Sequence, residues 1–324
     1  MTIKRKVGVI VEWDNARLSD VERAREMLMR LTSQAREIAD RSPYTFDLLL
    51  IYDPEEIPAE VPETVVDRCV DRSRWPGCVR ILQAPSLSYY AQKNFGVTQT
   101  DADIIVFVDS DVVPDHGWLQ QLLSALDNPE VEIVAGETYL ATGSFYERLC
   151  AAFWMFDVRP EGEGIYASRR FYANNVALRR EIAEQFPFPE AETFRGQCAT
   201  LGRELRSHGL TVHKIRSAAV SHPPPEGLRH FIHRGICHGH DTLLNQRIWN
   251  KSAISRTPIG SAFRFARGLA RAPFRIWSRH QQANLGPIGM FAAFCLSAVY
   301  SGLILVGELA TFLSPRYVRK RFSI

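Results

Sequence analysis

Between Asp241 and Glu308 the chain has no acidic residue, yet eight Lys and Arg fall there. Such a stretch has no carboxylates of its own to pair with and points toward an anionic partner. Cysteines are few and scattered: Cys69, Cys78, Cys150, Cys198, Cys237 and Cys295, none in a CxxC pair. That spacing excludes a zinc ribbon and a disulfide framework, and fits a reducing, cytosolic setting. Glycine is missing from VEWDNARLSD after the first apolar run, which argues against a phosphate loop and a nucleotidyltransferase. A net charge of +3 is too small to mark a nucleic-acid binder. The opening MTIKRKVGVIVEWDN has no small-residue cleavage site and soon meets Glu12, Asp14 and Asn15. It is expected to be a strand rather than a signal peptide.

What is present is an alternation. The 324 residues, 46% apolar and 23% charged, suit one large α/β domain with an appendage, or two domains. VGVIVEW (7–13), FDLLLIYD (46–53), VRILQAP (79–85), DIIVFVDSD (103–111) and VEIVAGETYL (131–140) read as strands. Helical patterns cover 19–39, with Ser19 as N-cap and Asp20 in the first turn, then 89–98 and 117–126. Strands apolar on both faces predict a parallel sheet covered by helices. In such sheets ligands bind at the carboxyl ends of strands. Three strand ends carry acid here: Glu12, Asp53, and Asp109 with Asp111.

D-S-D at a strand end suits a divalent cation bound to a nucleotide diphosphate, because Mg²⁺ and Mn²⁺ prefer hard oxygen ligands. A cap on the turn before Pro114 is the other reading of Asp111. The neighbourhood adds specificity. AQKNFGVTQTDADIIVFVDSDVVPDHGWLQQLL resembles the central block of family 2 glycosyltransferases of the GT-A fold: a basic residue and Asn open a helix, an apolar strand ends in DxD, and Pro and Trp-Leu start the next helix. Those positions are Lys93, Asn94, Asp109, Asp111, Pro114, Trp118 and Leu119.

The resemblance covers roughly residues 5–245. It implies that Glu12 and Asp53 lie near the nucleobase and ribose, and Lys93 near the nucleotide. Asp109 would touch ribose and metal, and Asp111 would be the main ligand of Mg²⁺ or Mn²⁺. Asp53 also reads as the start of a turn, since Pro54 follows. FYANNVALRRE resembles the segment beneath the sugar, which implies sugar contacts for Asn174 and Asn175 and phosphate contacts for Arg179 or Arg180. His222 matches a histidine that completes the metal shell in some relatives.

One departure stands out. Where the family carries an acidic pair with the general base, this chain has Gln197 and Cys198. The nearest carboxylates upstream are Glu190 and Glu192, and Glu192 is taken as the base. Arg195 and Gln197 are assigned to sugar or phosphate. HFIHRGICHGHD (230–241) reads either as a transition-metal site or as a basic helix near the diphosphate.

Downstream, Arg264, Arg267, Arg271, Arg275 and Arg279 recur every three or four residues with large aromatics between them, a pattern suited to an anionic membrane surface. Residues 288–307 carry no charge, about the length of one span, with positive charge on both sides. Positive flanks at both ends favour a hairpin or an interfacial helix over a single crossing.

The expectation is therefore an α/β protein with a GT-A, Rossmann-like mixed sheet, helices on both faces, and a C-terminal helical membrane-associated tail. Residues 1–245 form the GT-A domain, with 1–140 binding nucleotide and 141–245 the acceptor. Residues 246–285 are a basic amphipathic segment and 286–324 an apolar tail. It would transfer a sugar, with inversion, from a nucleotide-diphosphate sugar to a glycan or lipid-linked acceptor. It would sit on the cytoplasmic face of the cell membrane through 256–313, peripheral or tail-anchored, with no nucleic-acid partner. The alternative is a non-catalytic nucleotide-sugar-binding partner in a polysaccharide synthesis complex.

Overall fold

A computed structural model describes residues 5–18, 21–250 and 252–322. Ser19 and Asp20, read above as the start of the first long helix, lie outside the described residues. Among the described residues nine strands form one mixed sheet: β1 (Arg5–Glu12), β2 (Tyr44–Tyr52), β3 (Val79–Gln83), β4 (Ile104–Asp109), β5 (Val113–Pro114), β6 (Ile133–Leu140), β7 (Ile165–Ser168), β8 (Asn175–Arg179) and β9 (Val212–His222). Their order is β3-β2-β1-β4-β8-β6-β9-β5, with β7 paired to β9. Helices α1 (Asp14–Leu18) and α2 (Val21–Arg41) lead from β1 to β2. Then α3 (Glu60–Cys69) leads to β3 and α4 (Tyr89–Thr98) to β4. α5 (Trp118–Leu126) follows β5.

The run β3-β2-β1-β4 is parallel, as the apolar strands predict. Beyond β4 the pairs β4–β8 and β8–β6 are antiparallel, and β9 follows, with β5 and β7 antiparallel to it. The chain winds outward from β1 to β3 and then returns to lay β4 on the other side of β1. The crevice of such a sheet opens at this reversal, outside the carboxyl ends of β1 and β4.

Alternation along the strands sorts the core into two layers. Val7, Val9 and Val11 of β1 and Val106 and Val108 of β4 pack with Met27 and Leu28 of α2 and Leu122 of α5. Ile10, Ile105 and Phe107 fall on the other face, with Tyr89 and Val97 of α4. Side chains two apart share a face. Glu12 therefore continues the row of Ile10, and Asp109 that of Phe107, so both point toward α4. Gly96 lets that helix lie close: a Cβ there would stand 2.6 Å from Ile10.

The chain divides into two compact units, each drawn from three stretches of the sequence. The first is Met1–Tyr139, Pro160–Glu190 and Gln197–His222; the second is Leu140–Arg159, Ala191–Gly196 and Pro223–Ile324. The first holds, besides the elements above, α7 (Arg180–Gln185) and α8 (Gln197–Ser207).

The second is helical: α6 (Phe145–Phe153), α9 (Gly227–Trp249), α10 (Pro258–Arg279), α11 (Pro287–Leu313) and α12 (Pro315–Arg321). α11 is one continuous helix, so of the two forms expected, a hairpin or an interfacial helix, it is not the hairpin. It is long and apolar enough to cross a membrane, and 22% of its most apolar stretch is buried. Gly307 of α11 and Gly239 of α9 are packing notches. A Cβ on Gly307 would lie 2.1 Å from the Ile236 carbonyl, and one on Gly239 2.1 Å from that of Ile304. Glu308, nearly fully buried, is paired by Arg264, whose Nε lies 3.1 Å from both carboxylate oxygens.

The arginine stripe of α10 is thus only partly an outward feature. Arg275 donates to the Phe153 carbonyl at 2.9 Å, and Arg279 to those of Trp154 and Phe156 at 2.9 and 3.2 Å. Helix α10 runs on through Pro273.

Candidate active site

Glu12 and Asp109 are register partners on β1 and β4, and both are buried. Two adjacent buried carboxylates repel unless cations or donors reach them. Three groups do. Lys93 of α4, itself fully buried, donates to Asp109 Oδ1 at 2.7 Å. Tyr89, one turn earlier on the same helix, donates its hydroxyl at 2.8 Å. Asn15 donates from Nδ2 to Glu12 Oε1 at 2.7 Å and to Asp109 Oδ2 at 3.1 Å. Burial, followed by the charge of Asp109, pushes the Glu12 carboxyl well above the ordinary carboxylate range, against the pull of Lys93.

Lys93 was expected beside the nucleotide. It lies instead beneath the strand ends, as the counter-charge of Asp109. Asp109 in turn is engaged by three donors, whereas the next acid, Asp111, leaves the strand. Asp111 Oδ2 is 3.7 Å from His222 Nε2 at the end of β9. Two features bring them together. The short β5 pairs with β9, Val113 opposite Ser221. Arg23 of α2 donates from Nε to the Asp111 carbonyl and from Nη2 to that of Ser221, each at 2.9 Å. Arg23, Tyr89 and Asn15 are contributors that reading the sequence missed. The available signals were Tyr89 four residues before Lys93 on one helix face, and Asn15 three after Glu12.

Asp53 ends β2 and starts a turn. Its oxygens accept the backbone N–H groups of Glu55 and Ser86, at 2.8 and 2.9 Å.

The segment expected beneath the sugar is mainly a frame. Asn175 is fully buried: its Oδ1 accepts from the Trp118 indole at 2.7 Å, and its Nδ2 donates to the Glu137 and Ala218 carbonyls at 2.9 and 3.2 Å. Asn174 Oδ1 accepts from the Thr138 hydroxyl at 3.0 Å. Arg179 requires a correction. Because β8 runs antiparallel to β4, it is paired with Ile104, at the opposite end from Asp109, and caps the Leu126 and Asn128 carbonyls. It does not reach the D-S-D end. Arg180 pairs with Glu184, four residues along its own helix.

Gln197 opens α8 and is buried. Cys198 is buried beside the Tyr90 hydroxyl at 3.4 Å, and burial pushes its thiol up, so it is no base at neutral pH.

Glu192 and Arg195 belong to the second unit. Their loop is pinned from α9: Asp241 accepts the backbone N–H groups of Phe194 and Arg195, both at 2.8 Å, and the His240 imidazole meets the Glu192 carbonyl at 3.2 Å. The Glu192 side chain is exposed. The histidines of α9 are dispersed: His240 bonds Thr311, His238 lies against Tyr300 and His233 against Phe322. Among the described residues no three His, Cys, Asp or Glu side chains cluster at metal-binding spacing.

Residues 60–185 match the family model for Glycosyl transferase family 2. Glycosyltransferase AglE of Haloferax volcanii is 29% identical over 104 residues, 31% of this chain and 33% of that protein. The chain thus spans about a third of the length of the curated relative it matches. The fold is similar to that of a Pyrobaculum calidifontis mannosyltransferase, PcManGT, solved with GDP-Man and Mn²⁺, with TM-score 0.57, 13% identity and coverage of 97% of this chain and 88% of that one. It is also similar to S. aureus TarS 1-349 solved with UDP-GlcNAc, with TM-score 0.52, 12% identity and coverage of 94% and 91%. Residues 60–185 are thus similar to family 2 glycosyltransferases, and the fold is similar to that of the two solved glycosyltransferases.

Two outcomes are expected. Lys93→Met strands two buried carboxylates and should cost about 3–5 kcal/mol, read as a lowered denaturation midpoint; an unchanged midpoint would show that the pair is not a frame element. Asp241 governs a pH effect. Burial pushes its carboxyl up to about 7, against its two N–H bonds. The folded chain therefore keeps a proton that the unfolded chain releases at about pH 4. Its contribution is full below that pH and is lost as pH rises to about 7. Asp241→Asn should flatten the decline in melting temperature between about pH 4 and 7.

Proposed function

We propose that the protein transfers a sugar from a nucleotide-diphosphate sugar to a hydroxyl acceptor, with inversion and with Mg²⁺ or Mn²⁺. The observation that carries this reading is the approach of Asp111 and His222 to 3.7 Å beyond the β1/β4 crevice. A carboxylate and an imidazole suit Mn²⁺, and the carboxylate Mg²⁺, with other positions left to diphosphate oxygens and water. Among the site acids Asp111 fits this role better than Asp109, whose oxygens are engaged by Lys93, Tyr89 and Asn15. A cation held by Asp111 and His222 would neutralise the charge that develops on the departing diphosphate. The solved neighbours that carry GDP-Man with Mn²⁺ and UDP-GlcNAc support a donor of this class.

The chain's own residues supply the rest. The Glu12–Asn15–Asp109–Lys93 network holds both strand ends against charge repulsion, so that Asp111 is offered at a fixed place. Asp53 ties two loops at the neighbouring strand end. Glu192 takes the proton of the acceptor hydroxyl as general base. Asn174, Arg195 and Gln197 are assigned to the sugar or acceptor.

The acceptor is a glycan or lipid-linked intermediate met at the cytoplasmic face of a membrane. Support comes from α10, where Ile259, Phe263, Phe274 and Trp277 are 67–77% exposed along one face, and from the apolar α11.

Sugar transfer or nucleotide-sugar hydrolysis should require Mn²⁺ or Mg²⁺ and stop with EDTA. Asp111→Ala should lower kcat by about 10²-fold or more, and Glu192→Gln by a similar factor. Full activity in Glu192→Gln would remove the base assignment. Donor binding without turnover would favour the non-catalytic partner. For the membrane, the intact chain should sediment with anionic vesicles, and Phe274→Ser/Trp277→Ser should weaken this about tenfold; unchanged sedimentation would move the contact elsewhere.

A further inference from the structure

The second unit contains a cavity of about 480 Å³ between α6, α9, α10 and α11. Its lining includes four arginines of α10 and no carboxylate. Arg264 is already paired with Glu308, and Arg275 with the Phe153 carbonyl. Arg267 and Arg271 sit one turn apart on the same face, and neither has a hydrogen bond or ion pair among the described residues. The opposite wall is mainly apolar, with Ser297, Ser301 and His238 as its polar members. Trp154 and Tyr300 pack with ring centroids 4.6 Å apart, and Ile304 follows one turn along α11. Two unpaired guanidiniums suit a phosphate. An aromatic and aliphatic wall beside them suits hydrocarbon.

We propose that this cavity binds the phosphate headgroup of a lipid. Arg267 and Arg271 hold the phosphate, and Trp154, Tyr300 and Ile304 line the first carbons of the chain. Elsewhere on α10, Phe263, Phe274 and Trp277 are exposed. This deepens the membrane reading and rests on it only for how the lipid arrives.

The test needs no bilayer. The full chain is titrated calorimetrically with dihexanoyl phosphatidic acid below its micellar concentration, with dihexanoyl phosphatidylcholine, and with inorganic phosphate. Saturable one-to-one binding of the phosphatidic acid is expected. It should be at least about tenfold tighter than inorganic phosphate, the effect of burying two or so methylenes, and tighter than the phosphatidylcholine. Arg267→Gln/Arg271→Gln should weaken it at least about tenfold. Gly268→Leu leaves every charge in place. Gly268 lines the cavity, and the nearest atom to a Cβ there is Ser301 Oγ at 3.9 Å, so the new side chain enters open space. It should weaken binding about as much. Arg316→Gln/Arg319→Gln, on α12, should stay within about twofold.

Equal affinity for inorganic phosphate would reduce the site to a plain anion site and overturn the proposal. Wild-type binding by Gly268→Leu would show surface charge alone and also overturn it, as would failure to saturate. A chain that binds the short lipid but does not sediment with vesicles would keep this site and remove the membrane reading.

Discussion

The buried ion pair between Lys93 and Asp109 is the constraint on which the site depends. A carboxylate pair at the ends of two adjacent parallel strands is self-repelling, and in the interior the repulsion is weakly screened. Lys93 turns that liability into a frame. It needs α4 close to the sheet, which Gly96 permits. Tyr89 and Asn15 then satisfy the remaining lone pairs. With Asp109 held and neutralised, Asp111 is carried past the strand end to His222, on a turn tied down by Arg23.

The second unit is organised by the same need to compensate buried charge. Glu308 is an acid within an otherwise apolar helix, and Arg264 answers it. Asp241 is buried on α9 and takes up the N–H groups of the loop that bears Glu192. The arginines whose pattern suited a membrane surface divide into those that bind carbonyls and Glu308 within the unit and two, Arg267 and Arg271, that line the cavity without such a partner among the described residues. One helical stripe thereby serves packing and leaves a cationic pocket.

Much of the fold was legible. Long runs of β-branched and aliphatic residues marked β1, β2, β4 and β6, and their double-sided apolarity marked the parallel half. Helix α3 was not read, because Pro62 and a polar start obscure its pattern, although proline is tolerated in a first turn. Flanking charge left a hairpin and an interfacial helix open for the segment of α11, because it cannot register that Gly307 is a notch for a neighbouring helix.

By itself the sequence determined the alternation, the acidic strand ends and the absence of a carboxylate at Gln197 and Cys198, since each is a matter of residue type and local period. Tertiary structure decided which acid faces a histidine and which a lysine. It sent Arg179 to the far end of β4 because β8 runs antiparallel, and enclosed Asn175 between Trp118 and two carbonyls. It brought Asp111 to His222 across more than a hundred residues. Strand direction and the partner of a buried charge are set by packing between distant segments, and local pattern carries no record of them.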